Sequence, residues 1–447
     1  MSIFKKWEKG SVLITDAGWG DSGKGKCVSY LTPDIGAKII GGHNAGHTVV
    51  TNKGEFGLGL VPSTIIRGAP LNIIGPEVVI NPIFLAREIQ GLVKSGVKIT
   101  PKNLMIDPRS HVIMRWHEIR DALSEEARGK EAIGSLHLGV GWAFSDRVNR
   151  RGIRLGDILA RNWKKRVLAE LAIQKGVIAD MARDVKRKTG KESKVKKSIN
   201  KDTLLKEIAN ARKVLLKYSG NGLARVWEGI DKDKRILFED SHGAMLEVSH
   251  GSWPFTTGVN TALGAVHRSF GGKAVKSVTK IVTVVKAYQT RVGGGPMPTE
   301  NKGAFGNYVR DKGGEIGTRS KRPRRCGAID LPLIRYGLNV IGVDNKDEIA
   351  LTKLDVLSGL KEIPVCVKYK EGGKTYLTPP SVEAQFLTRA RPVTVTLPGW
   401  QEDITGVRKF KDLPKAAQKY VIFIEKELGV KITFIGVGKG HDAVILK

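Results

Sequence analysis

The chain has 447 residues, 41% hydrophobic and 27% charged, an ordinary globular composition that excludes fibrous and wholly disordered classes. Its formal net charge of +31 leaves three kinds of anionic partner open: nucleic acid, a charged surface or a polyanionic small molecule. Three scattered cysteines exclude a disulfide framework or a zinc site and point to a reducing, cytoplasmic setting, and no apolar run is long enough for a membrane span.

In chain order, Val12–Thr15 is a short apolar run that ends in glycines and predicts a buried strand entering a turn. Residues 22–31 predict a helix, 37–40 a second strand and 78–81 a third. Apolar positions at helical spacing predict a helix over 82–97. This alternation predicts an α/β fold with one long, mostly parallel central sheet and a P-loop-like site at its N-terminal edge. Residues 157–230, rich in Lys, Ala, Leu and Glu, predict a helical subdomain broken near 189–198. Strand signals return at 236–238, 281–287, 340–343, 365–369, 393–397 and 432–435, with a helix near 416–428. The whole of 1–447 is expected to form a single catalytic domain. Residues 183–201 hold nine Lys or Arg against two acids but no aromatic side chain, so a solvated surface is expected there and no specific nucleic-acid role.

Gly18-Trp-Gly-Asp-Ser-Gly23-Lys24 matches the first part of a P-loop, in which glycines let backbone N–H groups approach phosphate oxygens. The next residue in such loops is Ser or Thr, a Mg²⁺ ligand, but here it is Gly25 followed by Lys26. Asp21, inside the loop, offers a carboxylate oxygen to a hard cation instead. A second motif, Gly41-Gly-His43-Asn44-Ala-Gly46-His47-Thr48, follows a predicted strand. Its glycines argue against a helical metal site and for a loop that presents one histidine as an acid.

The two motifs together resemble the adenylosuccinate synthetase family. The resemblance runs nearly the whole chain, through Arg150-Arg-Gly-Ile-Arg-Leu-Gly-Asp157, His250-Gly-Ser-Trp-Pro-Phe-Thr-Thr257, Lys286-Ala-Tyr-Gln-Thr-Arg-Val-Gly293 and Thr352-Lys-Leu-Asp-Val-Leu357. It implies a ligase that phosphorylates the 6-oxygen of a purine nucleoside monophosphate from GTP and displaces that phosphate with L-aspartate. Asp21 then matches the general base and His47 the general acid, with Mg²⁺ on Asp21 and the Gly46 carbonyl. Gly20, Gly23, Lys24, Gly25, Lys26 and Thr48 match the triphosphate cradle. Lys353 and Asp355 match the guanine-recognition pair, within a nucleotide-base region over 331–447 that also carries Gly436 and Gly438. Ser22, Asn44, Ser135, Arg150, His242, Thr257 and Arg322 match monophosphate positions. Val292, Ser320, Arg322 and Arg324 match the aspartate site. Arg150 matches an arginine that reaches a neighbouring subunit, which implies a homodimer.

Departures from the family pattern cluster at the monophosphate. Ser22 replaces a Glu, Ile40 a Gln, Ser135-Leu-His-Leu138 a Thr-Thr-Gly-Arg stretch, and His242 a Gln. Gly436-Val-Gly-Lys439 also differs from the family's Ser-Thr-Gly-Pro, which leaves ATP open as donor. Two substrate readings follow. One is IMP. The other is dGMP, the substrate of some phage relatives, whose 2-amino group a short Ser22 or a His242 would accommodate. A catalytically retired basic binding protein is a third reading, opposed by the retained Asp21, His47, Lys26, Lys353, Asp355 and Arg322.

Overall fold

A computed structural model describes residues 2–52, 54–317 and 322–447. These residues build a nine-stranded sheet in the order Val444–Leu446, Ile432–Gly436, Glu348–Thr352, Val278–Lys286, Ser11–Asp16, Ile236–Glu239, Ile35–Lys38, Leu71–Ile74, Leu104–Ile106. Every pairing in this sheet is parallel except that of the terminal strand Val444–Leu446. Helices cover both faces, so the inner strands read as unbroken apolar runs with no alternation. Ser11–Asp16 is buried at every position.

The first strand therefore lies at the centre of the sheet, and its loop lies at the carboxyl edge. This corrects the expected placement at the N-terminal edge. Strands at 35–38, 236–239, 278–286, 348–352 and 432–436 run parallel to it, so the loops that follow them open on the same side. That edge is where α/β sheets bind ligands.

Two strand expectations fail. Val340 and Ile341 end the helix Leu331–Ile341, which Gly342 closes in the left-handed conformation. Asp330 caps this helix by accepting from the Leu333 N–H, and Leu331, Ile334, Leu338 and Ile341 bury one face. That helical spacing outweighs a short β-branched run. Val78 and Ile80 form isolated bridges only, and the strand in that region is Leu71–Ile74.

The segment between the strands Leu104–Ile106 and Ile236–Glu239 is helical, with Arg115–Arg128, Trp163–Thr189 and Lys201–Leu215 packed around Trp116, Leu123, Val167, Leu171 and Ile208. The basic stretch 183–201 runs from the end of the helix Trp163–Thr189 through the break that follows it. There Lys186 pairs with Glu192, and Arg187 and Lys188 pair with Asp184, all on the solvent side, as a solvated surface requires. No described helix is long and apolar enough to cross a membrane.

Candidate active site

The phosphate loop is organised by Asp16, the last residue of the first strand. Its Oδ1 accepts from the Gly18 N–H at 2.7 Å, and its Oδ2 lies 3.5 Å from the Lys24 ammonium. Gly23, at φ 93°, begins the helix Lys24–Tyr30. The Thr352 hydroxyl, at the end of a strand in the same sheet, donates to the Ser22 carbonyl at 2.5 Å. Gly25 has a steric cause: a Cβ there would sit 2.7 Å from the Thr48 carbonyl. The helix thus packs against the strand His47–Thr51 too closely for the Ser or Thr of an ordinary P-loop. Gly243 seats the adjacent loop in the same way, since a Cβ would lie 2.2 Å from the Gly18 carbonyl.

Asp21 adopts φ 56°, and its carboxylate meets Arg324. The Arg324 fork donates to Oδ2 through Nε at 2.9 Å and Nη2 at 2.8 Å, so Oδ1 lies outside the fork. The other arm, Nη1, donates to Glu315 at 2.6 Å. The Ser22 hydroxyl turns inward and donates to the Gly20 carbonyl at 3.3 Å.

His47 begins the strand His47–Thr51 and is buried. Its Nδ1 donates to Glu239, which also accepts from the Ser63 N–H at 2.7 Å and the Ser63 hydroxyl at 2.6 Å. Burial alone would raise the Glu239 carboxyl, but His47, Lys38 and Ser63 hold it at about 2. Burial pushes the His47 imidazole down against the pull of Glu239. The pair is best described as a carboxylate with a neutral imidazole, because the Ser63 donors and Lys38 support the anion independently of His47. A carboxylate only accepts, which makes Nδ1 the donor and leaves Nε2 with its lone pair directed away.

Several buried polar atoms have no hydrogen-bond partner among the described residues, and many lie in these motifs: Asn44 Oδ1, His47 Nε2, both His242 ring nitrogens and Asp355 Oδ1. An orphaned buried polar atom is costly, so its concentration in one region marks a place that a ligand completes. His242 follows the strand that lies between those leading to Asp21 and His47, and its ring approaches Gly41.

Burial, with repulsion from Lys24, Lys38 and His47, pushes the His242 imidazole down to about 3, and burial with repulsion from Arg147 and Arg154 pushes His111 down to about 4. Both are neutral when folded and titrate near about 6.5 when unfolded, so acid favours the unfolded chain. Their contribution is complete above about 6.5 and is lost as pH falls towards 4 and then 3. Tm is expected to drop between pH 7 and pH 4, and to drop less in His242→Gln. An unchanged slope in that variant contradicts this account.

At the donor end, Lys26 donates to the Gly438 carbonyl at 2.6 Å and the Ala443 carbonyl at 2.7 Å, close to Gly436. Burial pushes its ammonium down to about 8. Lys353, at φ 58°, donates to the Gly313 carbonyl at 2.6 Å and to Glu315 at 2.9 Å. Asp355 is half-buried, and burial raises its carboxyl.

The remaining expected residues are less closely gathered. The Ser135 hydroxyl is committed to Asp121 at 2.7 Å. The Thr257 N–H donates to the Leu246 carbonyl at 2.8 Å, and Val292 is half-buried beside the buried Arg291. Arg322 is exposed, and its carbonyl accepts from the Gly317 N–H. Ser320 lies outside the described residues. Arg150, at φ 57°, lines a cavity of about 390 Å³ with His111, Arg147, Arg154, Asp157 and Arg166, none of them from the loops above. The sequence reading missed Glu239 and Glu315. Each is a buried carboxylate whose partners are mostly distant along the chain, and no local motif marks either one.

The parallel sheet and the glycine-rich loop at its carboxyl edge define the class, an α/β protein with a P-loop-like nucleotide site. A family model described as adenylosuccinate synthetase matches residues 13–445. The adenylosuccinate synthetase of Halothermothrix orenii is 37% identical over 438 residues, 98% of each chain. The structure of the fully ligated adenylosuccinate synthetase from Plasmodium falciparum superposes with a TM-score of 0.88 at 32% identity, covering 98% of this chain and 99% of that one. A cyanophage S-2L succinoaminodeoxyadenylate synthetase bound to dGMP and dATP shares the fold, with a TM-score of 0.60 at 18% identity and coverage of 98% and 96%. The chain belongs to the adenylosuccinate synthetase family, carbon–nitrogen ligases of purine biosynthesis.

Proposed function

We propose that this chain joins L-aspartate to C6 of IMP through a 6-phosphoryl intermediate, driven by GTP. The observation that carries the reading is the set of three loops leaving successive strands of the sheet centre. They bear Asp21 and His242 and lead into His47, and the two histidines keep unpartnered ring nitrogens.

In this reading Asp21 Oδ1 takes the N1 proton of the purine, which makes O6 nucleophilic. O6 forms a bond to the γ-phosphorus as the bond to the β–γ bridging oxygen breaks, and GDP leaves. The aspartate amine then adds to C6 and loses a proton, and the 6-oxygen departs as inorganic phosphate. His47 Nε2 faces the developing charge on that oxygen. The proton lost by the amine passes to His47 Nε2, and the resulting imidazolium, which Glu239 stabilises through Nδ1, donates to the 6-oxygen as it departs. Lys24 and the loop amides offset phosphate charge, and positioning with electrostatics suffices for phosphoryl transfer.

By the family resemblance the Asp21 carboxylate and the Gly46 carbonyl would hold Mg²⁺, and the oxygen of Asp21 outside the Arg324 fork suits such a hard cation. No group of three or more His, Cys, Asp or Glu side chains stands ready for a metal among the described residues, so phosphate oxygens would complete its shell. When bound it neutralises charge on the transferring phosphoryl group. GTP is favoured over ATP because the unpartnered Asp355 oxygen is an acceptor, which suits the N1–H and 2-amino donors of guanine. Arg322 and Arg324 supply the cationic side of the aspartate site. Arg150, remote from the loops within its own chain, would serve the second subunit of a homodimer.

A second reading is dGMP as the substrate, favoured by the unpartnered ring of neutral His242, whose one lone-pair nitrogen can accept from a 2-amino group. Aspartate-dependent phosphate release with IMP, GMP and dGMP, each with GTP and ATP, separates the two. Fastest turnover of IMP with GTP is expected. Faster turnover of dGMP would replace the IMP reading, and no aspartate-dependent release with any pair would overturn both.

A further inference from the structure

We propose that Glu315 is a positioning residue that couples the nucleotide-base end of the site to its amine-donor end, so that a substitution weakening one end also weakens binding at the other. The inference rests on the ligase reading above.

Glu315 follows the helix Ala304–Gly313 and is wholly buried. Its Oε1 accepts from the Lys286 ammonium at 3.0 Å, the Tyr288 hydroxyl at 2.5 Å and the Lys353 ammonium at 2.9 Å. Its Oε2 accepts from Arg324 Nη1 at 2.6 Å, and its carbonyl accepts from the Arg324 N–H at 2.8 Å. Four side-chain donors thus fill a carboxylate with about four acceptor positions. Burial alone would raise this carboxyl, but Lys286, Lys353 and Arg324 hold it well below the usual range.

The geometry makes one anion the common anchor of two residues with separate tasks. Lys353 leads directly into Asp355, the acceptor for the donor base. Arg324 divides its guanidinium between Glu315 and Asp21. If Lys353 loses its hold, the charge on Glu315 is shared among fewer donors, and Arg324 is drawn towards Glu315 and away from Asp21. A continuous chain of charge-assisted bonds is the physical route for such coupling.

Steady-state kinetics of Lys353→Met, Glu315→Gln and the double variant test this. In the wild-type background Lys353→Met is expected to raise the KM for GTP and also, by about threefold or more, the KM for L-aspartate. In the Glu315→Gln background the same change is expected to raise the KM for GTP alone. A merely structural Glu315 would lower stability and leave the two KM effects independent. An aspartate KM unmoved by Lys353→Met, or multiplied by the same factor with and without Glu315, overturns the proposal. Should Glu315→Gln not fold, Arg324→Lys carries the test, since coupling in binding free energy is reciprocal and must raise the Kd for GTP measured by titration. An unmoved GTP Kd overturns it. Absence of aspartate-dependent turnover in the wild type would overturn the ligase reading itself, whereas turnover with independent KM values overturns only the coupling.

Discussion

Asp21→Asn is expected to lower kcat by about 10³-fold, near the middle of the range for a lost general base, while GTP binding measured by titration changes little. The substitution keeps the shape of the loop and the left-handed φ of 56°, which Asn tolerates. What it removes is the charge that accepts the N1 proton and balances Arg324. A 10³-fold loss corresponds to about 4 kcal/mol in the barrier. If the variant turns over at a rate near that of the wild type, the proton is taken elsewhere and the assignment of Asp21 fails.

Glu239→Gln is expected to lower kcat by about 10²-fold with a small change in KM, because the loss falls on an interaction formed as charge develops. An amide in place of the carboxylate still fills the space between His47 and Ser63. It cannot stabilise an imidazolium, and its NH₂ group, in the place of either oxygen, faces a donor: the His47 Nδ1–H or the Ser63 N–H. The circular-dichroism spectrum and Tm should accompany the rate, since Lys38 loses a nearby counter-charge. A normal kcat in a folded variant would show that His47 acts without its carboxylate.

The parts of the site legible in the sequence are those in which a backbone shape dictates the residue. Gly23 requires a left-handed φ, and Gly25 cannot carry a Cβ beside the Thr48 carbonyl. Such demands leave a fixed local spelling, so the loops at 18–26 and 41–48 are found at once. The reason for Gly25 was not legible: the missing P-loop hydroxyl looked like a departure in chemistry, yet its cause is the packing of a helix against a hairpin strand. Glu239 and Glu315 stayed hidden for a different reason. Glu239 reads as the end of an apolar strand, and Glu315 as one charge among many in a basic region. Their meaning arises only when His47, Ser63, Lys286 and Lys353 fold around them. The misread run at 340–343 shows the same limit, because four residues cannot reveal that they complete a helical face begun at Leu331.

The central claim is that the 6-oxygen of the purine leaves as phosphate. IMP labelled with oxygen-18 at O6 tests it directly when turned over with GTP and L-aspartate. The account predicts that the label appears in the inorganic phosphate released. Unlabelled phosphate, with the label recovered in water or retained on the purine, would contradict it.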